Sequence, residues 1–351
     1  MAIIDSDAHV IENDATWDCM EPADQQYRPI FLNARSGDQQ YLVTDGKFLI
    51  RARKDTSVDL LASINLGDQV PVPNDSRLML DVEVRLRHMD ELGTDVQVLY
   101  PTIFIMPVAE RPETELAMCR AYNRWMAQSW AKSSGRLPWA LVPPLLSMEK
   151  TLEELRTAKD NGACAIFMRP METGGRLLDD PYFYPMYEEA SRLGLPICPH
   201  AGNGSQQMID ASSGYAWLHS RCMGAAAFYR IVNEGLPDKF PELRWGFIEF
   251  TGNWLPFAVT DLARRFERRG IPRKENVLRD NRIYVACHSN DDIPYLEQCV
   301  GPDNLLMGTD YGHADLSTEI HALENFKANS GVSAETTRKI LDDNPRALYG
   351  L

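Results

Sequence analysis

The sequence predicts an α/β protein folded as a (β/α)8 TIM barrel with an insertion after the first strand. Two observations predict this fold: eight short β-rich runs recur along the 351 residues, and most are followed by a segment with apolar residues at i, i+3, i+4 spacing. The runs are nearly continuous in apolar residues, which is typical of parallel strands buried on both faces. An eightfold repeat of this unit fits a closed barrel better than an open doubly wound sheet, which stays the alternative.

The predicted elements alternate from one end of the chain to the other. The strands are 3–8, 95–100, 139–142, 163–168, 196–199, 245–248, 283–286 and 305–307. The helices are 81–92, 113–132, 147–161, 184–193, 220–233, 255–269, 293–299 and 317–328.

The connection between the first two strands, about eighty residues, is far longer than a βα unit needs. Within it, the segment 41–50 is typical of a β-hairpin, because Asp45-Gly46 tolerates the positive φ angles of a tight turn. We expect residues 1–351 to form one domain, in which an insertion over 20–80 covers the barrel mouth and contributes substrate contacts. A loop that serves dimerisation is the alternative interpretation.

The charge balance restricts the partners of the protein. Lys and Arg number 36 against 50 Asp and Glu, a net charge of −14, so binding of nucleic acid or an anionic membrane is disfavoured. No apolar run approaches the ~20 residues of a membrane span, and the first residues carry acids in place of a basic leader. The seven dispersed cysteines are typical of reduced thiols. We therefore expect a cytoplasmic protein.

Acids and histidines stand at the carboxyl ends of five predicted strands, which is where barrels of this kind carry their chemistry. Asp7 and His9 end the first strand on one face, because side chains alternate with period two along a strand. The others end the fifth to eighth strands and are His200, Glu249, His288 and Asp310.

Such groups are costly in a low-dielectric barrel mouth unless they are paired or coordinated. A divalent cation removes that cost, and carboxylate and imidazole groups suit Zn²⁺, Mn²⁺ or Fe²⁺. We expect one divalent metal per chain, with zinc favoured over manganese and iron, held by Asp7, His9, His200 and Asp310. The alternative is that these residues only hydrogen-bond to one another and to the backbone at the barrel rim.

Short motifs follow one another in a specific order over essentially the whole chain. They are Asp5-Ser-Asp-Ala-His9-Val-Ile-Glu12, Arg87-His-Met-Asp90-Glu-Leu-Gly93, Tyr122-Asn123-Arg-Trp125, Pro199-His200-Ala-Gly202, Glu249-Phe-Thr-Gly252-Asn-Trp254 and Gly308-Thr-Asp310-Tyr311-Gly-His313. In this order the sequence resembles the amidohydrolase superfamily, in the branch of metal-dependent decarboxylases and hydrolases that includes aminocarboxymuconate-semialdehyde decarboxylase and γ-resorcylate decarboxylase. The resemblance implies a distorted barrel with one divalent metal, and it makes a homodimer or a higher homo-oligomer plausible.

The resemblance also implies residue roles. The family's first-strand metal pair falls on Asp7 and His9, its strand-five histidine on His200 and its strand-eight aspartate on Asp310. Close relatives carry a histidine after strand six in a His-Gly-Gly sequence, whereas this chain has Glu249-Phe-Thr-Gly252. The usual proton-transfer assignment therefore does not carry over intact.

The remaining polar candidates each have a functional and a structural interpretation. Glu249 and His288 are candidates for proton transfer, or they brace the barrel rim. Arg169 follows the fourth strand, where its guanidinium would grip a substrate carboxylate or form a structural salt bridge. His219 and His313 are further candidates for substrate binding. His88 and His321 lie in predicted helices among charged neighbours and are interpreted as solvated.

The function that the resemblance implies is non-oxidative decarboxylation of a small aromatic or conjugated carboxylic acid. The metal would act as a Lewis acid, with Asp310 as the leading proton-transfer group and Glu249 or His288 assisting. The alternative is a hydrolase that attacks an amide, ester or C–C bond with a metal-activated water. A catalytically inactive binding barrel is a remote alternative.

Overall fold

The structure is a computed structural model that describes residues 1–33, 40–51, 72–202, 216–272, 274–313 and 318–351, without the side chains of 33, 40, 41, 47–51, 172 and 216–220. Eight parallel strands form its central sheet, and each is paired with the next along the chain. They are β1 (Ile4–His9), β2 (Val96–Tyr100), β3 (Trp139–Leu141), β4 (Ala163–Met168), β5 (Ile197–Pro199), β6 (Trp245–Phe247), β7 (Ile283–Cys287) and β8 (Leu305–Met307). Strictly sequential order is the topology of a barrel and not of an open doubly wound sheet.

The two ends of the sheet meet, so the barrel closes. The backbone N–H groups of Thr309 and Asp310 donate to the Asp7 carbonyl at 3.2 and 2.9 Å, and the His9 N–H donates to the Tyr311 carbonyl at 2.6 Å. Gly308 makes this approach possible, because a Cβ there would lie 2.3 Å from the Cβ of Asp7. The predicted (β/α)8 barrel is confirmed.

Helices lie between the strands and after the last one. The longer ones are Val82–Glu91, Pro112–Trp130, Met148–Lys159, Tyr184–Leu193, Ala216–Asn233, Leu255–Arg268, Ile293–Val300 and Ala322–Asn329. Shorter helical segments are Asp14–Trp17, Pro22–Tyr27, Asn74–Arg77, Ile103–Ile105, Pro181–Phe183, Leu236–Lys239, Arg279–Asn281, Ala334–Arg338, Lys339–Asp343 and Asn344–Tyr349. The helix predicted over 317–328 is shorter at its start in the structure. It begins at Ala322, and the exposed His321 directly precedes it.

Local sequence signals explain several helix ends. The Asp81 side chain accepts the Glu83 N–H and caps the helix Val82–Glu91, and Asp292 caps Ile293–Val300 in the same way. Proline occupies the first turn of Pro112–Trp130, where its missing N–H costs nothing. Gly194 ends the helix Tyr184–Leu193 in the left-handed conformation, at φ +65°.

The barrel interior is a packed core. Every residue of β3, β4, β5, β6 and β8 is buried, as parallel strands covered by helices require. The C-terminal helix packs on the barrel through buried Tyr349, whose hydroxyl donates to the Ser6 carbonyl at 2.9 Å and lies 3.0 Å from the Tyr100 hydroxyl. None of the described helices is long and apolar enough to cross a membrane.

The segment after β1 contains the predicted hairpin. Strands Gln40–Thr44 and Lys47–Arg51 pair antiparallel around Asp45-Gly46, and Ile30–Asn33 adds a third strand. The turn docks on the mouth side of β2, because Thr44 Oγ1 donates to the Val108 carbonyl at 2.6 Å and Asp45 pairs with Arg111. Residues 52–71 lie outside the described part, and the single domain over 1–351 stays a prediction.

Candidate metal centre

Six acidic and imidazole side chains form one buried cluster at the carboxyl ends of β1, β5, β6 and β8. Ligand atoms of one set lie within 4.8 Å of one another, and so do those of a second set that shares His9 with the first. The first set is Asp7, His9, His200 and Glu249, and the second is His9, Asp310 and His313. All six residues are at most 5% exposed.

His9 is oriented as a metal ligand. Its Nδ1 lies 3.0 Å from the Pro101 carbonyl, which can only accept, so Nδ1 carries the proton and Nε2 presents a lone pair. Nε2 lies 3.4 Å from Asp7 Oδ1 and 3.5 Å from Asp310 Oδ1, and makes no hydrogen bond to the described residues. Burial, together with repulsion from His313, lowers the pKa of His9 to about 3, so its imidazole is neutral.

His200 presents its ring in the same way. Its Nδ1 lies 2.8 Å from the Ala201 carbonyl, and its Nε2 lies 3.4 Å from the Asp7 oxygen that faces His9. Burial alone would lower the pKa of His200, but Asp7 outweighs burial and raises it. Burial likewise opposes ionisation of Asp7, yet its contacts with His200 and His9 lower the pKa of that carboxyl. A cation that bound here would displace the proton of His200.

Asp310 and His313 complete the β8 side of the cluster. Asp310 Oδ1 lies 2.7 Å from His313 Nδ1, and Asp310 Oδ2 accepts from Thr318 Oγ1 at 2.8 Å. The His313 ring stacks on His9 with centroids 3.8 Å apart, and its Nε2 lies 2.9 Å from Thr102 Oγ1. Gly312 permits this return, because its φ is +100° and a Cβ there would lie 2.8 Å from the His9 carbonyl oxygen.

The loop after β6 places Glu249 against His200 in a strained backbone. Glu249 Oε2 lies 3.6 Å from His200 Nδ1. Glu249 and Thr251 have φ of +66° and +60°, a region that side chains other than glycine rarely adopt, and Asp310 has φ of +52°. Strain of this kind persists where the surrounding structure over-determines it, and it is typical of functional sites.

A buried brace beneath the cluster was missed by the sequence analysis. Asp5 accepts from Thr309 Oγ1 at 2.6 Å and from Gln97 Nε2 at 3.1 Å. Gln97 Oε1 in turn accepts from Arg85 Nε at 2.7 Å, and Arg85 Nη1 donates to the His9 carbonyl at 3.1 Å. A signal was available, because Arg85 and Gln97 interrupt the apolar faces of their helix and strand.

Tyr311 extends this brace. The Arg85 guanidinium lies 3.9 Å above its ring, and its hydroxyl lies 2.6 Å from Ser76 Oγ and 2.7 Å from His88 Nδ1. The interpretation of His88 as a solvated helix residue is therefore wrong. Glu12 was also missed: it is fully buried, accepts the Ile103 N–H at 2.9 Å, and burial raises its pKa to about 7.

Three predicted residues lie outside the six-residue cluster. Arg169 lines a small pocket beside Glu115, whose wall includes Phe167, and the Phe167 ring lies 5.7 Å from that of His200. His288 is buried after β7, and its backbone N–H donates to Asp291 at 2.9 Å. His219 lies in the helix Ala216–Asn233, with its side chain outside the described part.

The cluster fits a divalent cation. In the first set the imidazoles of His9 and His200 and the carboxylates of Asp7 and Glu249 bring ligand atoms within 4.8 Å of one another, and Asp310 joins through His9 in the second set. The buried Nε2 of His9 has no hydrogen-bond partner among the described residues. Nitrogen and carboxylate donors in this combination suit zinc, manganese or iron. The geometry therefore defines a buried metal-binding site at the mouth of the barrel.

Comparison with known proteins agrees with the fold. The sequence matches the family model of the amidohydrolases over residues 4–351, so the chain belongs to this family. The resemblance noted from the motifs is confirmed.

The relatives include decarboxylases at low sequence identity. The 2-amino-3-carboxymuconate-6-semialdehyde decarboxylase of Dictyostelium discoideum is 22% identical over 66% of this chain and 66% of its own length. The γ-resorcylate decarboxylase of Rhizobium sp. (strain MTP-10005) is 24% identical over 78% of this chain and 88% of its own. Among solved structures, a 5-carboxyvanillate decarboxylase of Novosphingobium aromaticivorans superimposes with a TM-score of 0.73. It is 18% identical, and the match covers 100% of this chain and 96% of that one. That structure is a complex with manganese and 4-hydroxy-3-methoxy-5-nitrobenzoic acid.

Proposed function

We propose that the protein is a metal-dependent non-oxidative decarboxylase of a small aromatic or conjugated carboxylic acid. The observation that carries the proposal is the buried contact around His9 Nε2, which lies 3.4 Å from Asp7 Oδ1 and 3.5 Å from Asp310 Oδ1, while His200 Nε2 lies 3.4 Å from the same Asp7 oxygen. The names of the decarboxylase relatives add support for this reaction over others that such a site performs.

In this proposal Asp7, His9, His200 and Asp310 hold the metal. A divalent cation there supplies Lewis acidity toward the carboxylate and an adjacent hydroxyl or carbonyl oxygen of the substrate. The Pro101 and Ala201 carbonyls keep both imidazoles in the tautomer that ligation needs. The brace through Arg85 holds β1 and β8 in register, so that the four ligands keep their spacing.

Asp310 is the leading proton-transfer group. Its carboxyl is held in place by His313 on one oxygen and Thr318 on the other. A proton delivered from this carboxyl to the ring carbon that bears the substrate carboxylate allows the C–C bond to break. The electron pair of that bond returns to the ring, CO₂ leaves, and Asp310 is then reprotonated from solvent. Glu249 or His288 assists this proton transfer.

Substrate contacts are assigned to Arg169, His219 and His313. Arg169 is supported by its position after β4, beside Phe167 and close to His200. His313 is supported by its contact with Asp310, and His219 only by its position in the chain after β5. The insertion over 20–80 is proposed to cover the mouth above them, consistent with the docking of Thr44 and Asp45 beyond β2.

For the metal we propose zinc or manganese, with iron as the further candidate. Zinc is favoured by the donor types, and manganese is supported by the complex of the related 5-carboxyvanillate decarboxylase. All seven cysteines are free thiols, which supports the proposed cytoplasmic location. A homodimer is proposed from the family likeness, and light scattering of the purified protein tests it.

Two measurements test the proposed function. Elemental analysis of the purified protein should find about one equivalent of zinc, manganese or iron per chain. Incubation with a panel of hydroxybenzoates and related acids should release CO₂, and Asp310→Asn should abolish this release. A purified protein that holds no metal and whose activity does not change with a chelator would contradict the proposal.

Hydrolysis is the second candidate, because Glu249 stands where decarboxylase relatives carry a histidine. A carboxylate at this position is suited to accept a proton from an attacking water. Uptake of ¹⁸O from labelled water into the product of an amide, ester or C–C substrate would support it. Glu249→Gln should then lose activity, whereas unchanged turnover would leave Glu249 with a bracing role.

A further inference from the structure

Asp291 connects the two loops that carry the auxiliary proton-transfer candidates. Its Oδ2 accepts the backbone N–H of Gly252 at 2.6 Å and the backbone N–H of His288 at 2.9 Å. Gly252 belongs to the loop that follows Glu249 after β6, and His288 follows β7. One carboxylate oxygen therefore holds both loops at fixed separation.

The carboxylate is buried in this position. Asp291 is 7% exposed, and its Oδ1 makes no hydrogen bond to the described residues. Burial raises the pKa of Asp291, against the opposing effects of its hydrogen bonds to His288 and Gly252 and of the charge of Arg221 on the helix Ala216–Asn233. A buried carboxylate is expensive to desolvate, so two backbone hydrogen bonds and a nearby cation are needed to keep it there.

The β6 loop needs such a restraint. Glu249 and Thr251 adopt left-handed backbone conformations, which are strained for residues other than glycine and persist only where neighbouring structure holds them. Gly252 is packed tightly against the β7 side, since a Cβ there would lie 2.4 Å from Leu296 Cδ1 and 3.1 Å from Cys287 Sγ. The N–H of Gly252 then points at Asp291, which completes the restraint.

We propose that Asp291 is a positioning residue that aligns Glu249 and the His288 loop with the metal centre. This inference rests on the proposed function, because Glu249 and His288 are its auxiliary proton-transfer groups. Asp291 itself lies outside the six-residue cluster and does not touch the reacting atoms. Its effect on turnover is exerted through the two backbone N–H groups that it binds.

Hydrogen exchange tests the restraint without any substrate. In Asp291→Ala, peptides that contain the Gly252 and His288 amides should exchange at least about 10-fold faster, because each loses a hydrogen bond to a charged group. Asp291→Asn keeps a carbonyl oxygen in the same place and should restore most of the protection. If Asp291→Ala does not fold, Asp291→Ser is used in its place. The serine side chain is polar but too short to bind both amides, so the same faster exchange is expected.

Steady-state kinetics on the metal-loaded protein test the consequence. Misplacement of a catalytic group by about 1 Å costs on the order of 100-fold in rate, so Asp291→Ala should lower kcat by about that factor with a KM change below about threefold. Asp291→Asn should recover at least half of the logarithmic loss. Asp292→Ala is the matched control. Asp292 is exposed and caps the helix Ile293–Val300 through the Tyr295 N–H, so loss of its side chain should lower stability and leave kcat unchanged.

Each outcome has a definite meaning. Faster exchange with unchanged kcat overturns the positioning role and leaves the proposed decarboxylase intact. Unchanged exchange in Asp291→Ala overturns the restraint itself. If the wild-type protein turns over no acid of the panel, the proposed function fails, and the exchange experiment alone then decides whether Asp291 couples the two loops.

Discussion

Glu115 gives a stability prediction that the structure makes quantitative. It lies in the first turn of the helix Pro112–Trp130, is 6% exposed, and accepts the Leu146 N–H on Oε2 at 2.6 Å. Burial raises the pKa of Glu115 from its ordinary value of 4.5 to about 7, against the opposing effects of the Leu146 hydrogen bond and the Arg169 charge. The folded protein therefore binds a proton at Glu115 more tightly than the unfolded chain does.

The size and sign of the effect follow from linkage. The shift from 4.5 to about 7 corresponds to about 3 kcal/mol, at about 1.4 kcal/mol for each pH unit. Because the folded pKa is the higher one, this stabilisation is fully present below pH 4.5 and is lost as the pH rises through 7. Glutamine is neutral at every pH and keeps a carbonyl oxygen for the Leu146 N–H, so Glu115→Gln should not show this loss.

Urea denaturation at pH 5 and pH 8 measures the effect. At pH 5 the free energy of unfolding of Glu115→Gln should exceed that of the wild type by less than about 1 kcal/mol, and at pH 8 by up to about 3 kcal/mol. Glu113→Gln is the matched control, since Glu113 is exposed in the same helical turn. An identical pH dependence in the wild type and Glu115→Gln would show that Glu115 is ionised without cost in the folded protein, and would refute the reasoning.

Three further predictions concern the metal, the brace beneath it, and the packing of the turn before β4. Removal of the metal with a chelator should lower the Tm, since a metal at 100 times its Kd adds about 2.7 kcal/mol to the free energy of unfolding. Metal affinity should rise from pH 6 to pH 8, because the Asp7–His200 pair must release a proton when the metal binds. Arg85→Met should weaken metal binding at least about 10-fold in a competition titration, because the Gln97 side-chain oxygen and the His9 carbonyl lose their hydrogen-bond donor. Arg87 is exposed on the same helix, so Arg87→Met should leave metal binding unchanged. Gly162→Ala should lower the free energy of unfolding by about 2 kcal/mol or more in urea, because its φ is +89° and a Cβ would lie 2.3 Å from the Trp130 ring. Gly175→Ala, which has open space around it, should cost only about 1 kcal/mol, the strain of its positive φ.

The barrel and four of its site residues were predictable because they depend on periodicity. Alternation of strands and helices determines a closed parallel barrel, and closure brings the carboxyl ends of all strands to one mouth. Asp7 and His9 follow from the period of β1, while His200 and Asp310 follow from where β5 and β8 end. The position of these side chains at the barrel mouth is then a consequence of topology, whereas their ligand atoms form two sets that share His9.

Other parts of the site depend on contacts that no local pattern encodes. The stacking of His313 on His9 requires the backbone conformation of Gly312, and half-buried His88 contacts Tyr311, a residue 223 positions away. Arg85 contacts the His9 carbonyl, 76 positions away. Asp291 was indistinguishable from the neighbouring Asp292 in the sequence, although the first binds two buried backbone N–H groups and the second only caps a helix.

Glu249 adds a third carboxyl group to the metal centre, and the resulting charge balance leads to a test of the reaction type. Asp7, Asp310 and Glu249 carry three negative charges when ionised, against two positive charges from a divalent cation, and a substrate carboxylate adds a fourth. A buried site with that excess favours retention of one proton among its carboxyl groups. A decarboxylase uses that proton on the substrate carbon, so kcat should fall as the pH rises and the proton is lost, whereas a hydrolase needs the same group as a base and its kcat should rise. The direction of the pH–kcat profile of the wild type therefore separates the two reactions, and a kcat that rises with pH contradicts decarboxylation. The profile of Glu249→Gln tests the role of Glu249. If it is the same as that of the wild type, Glu249 does not share the retained proton.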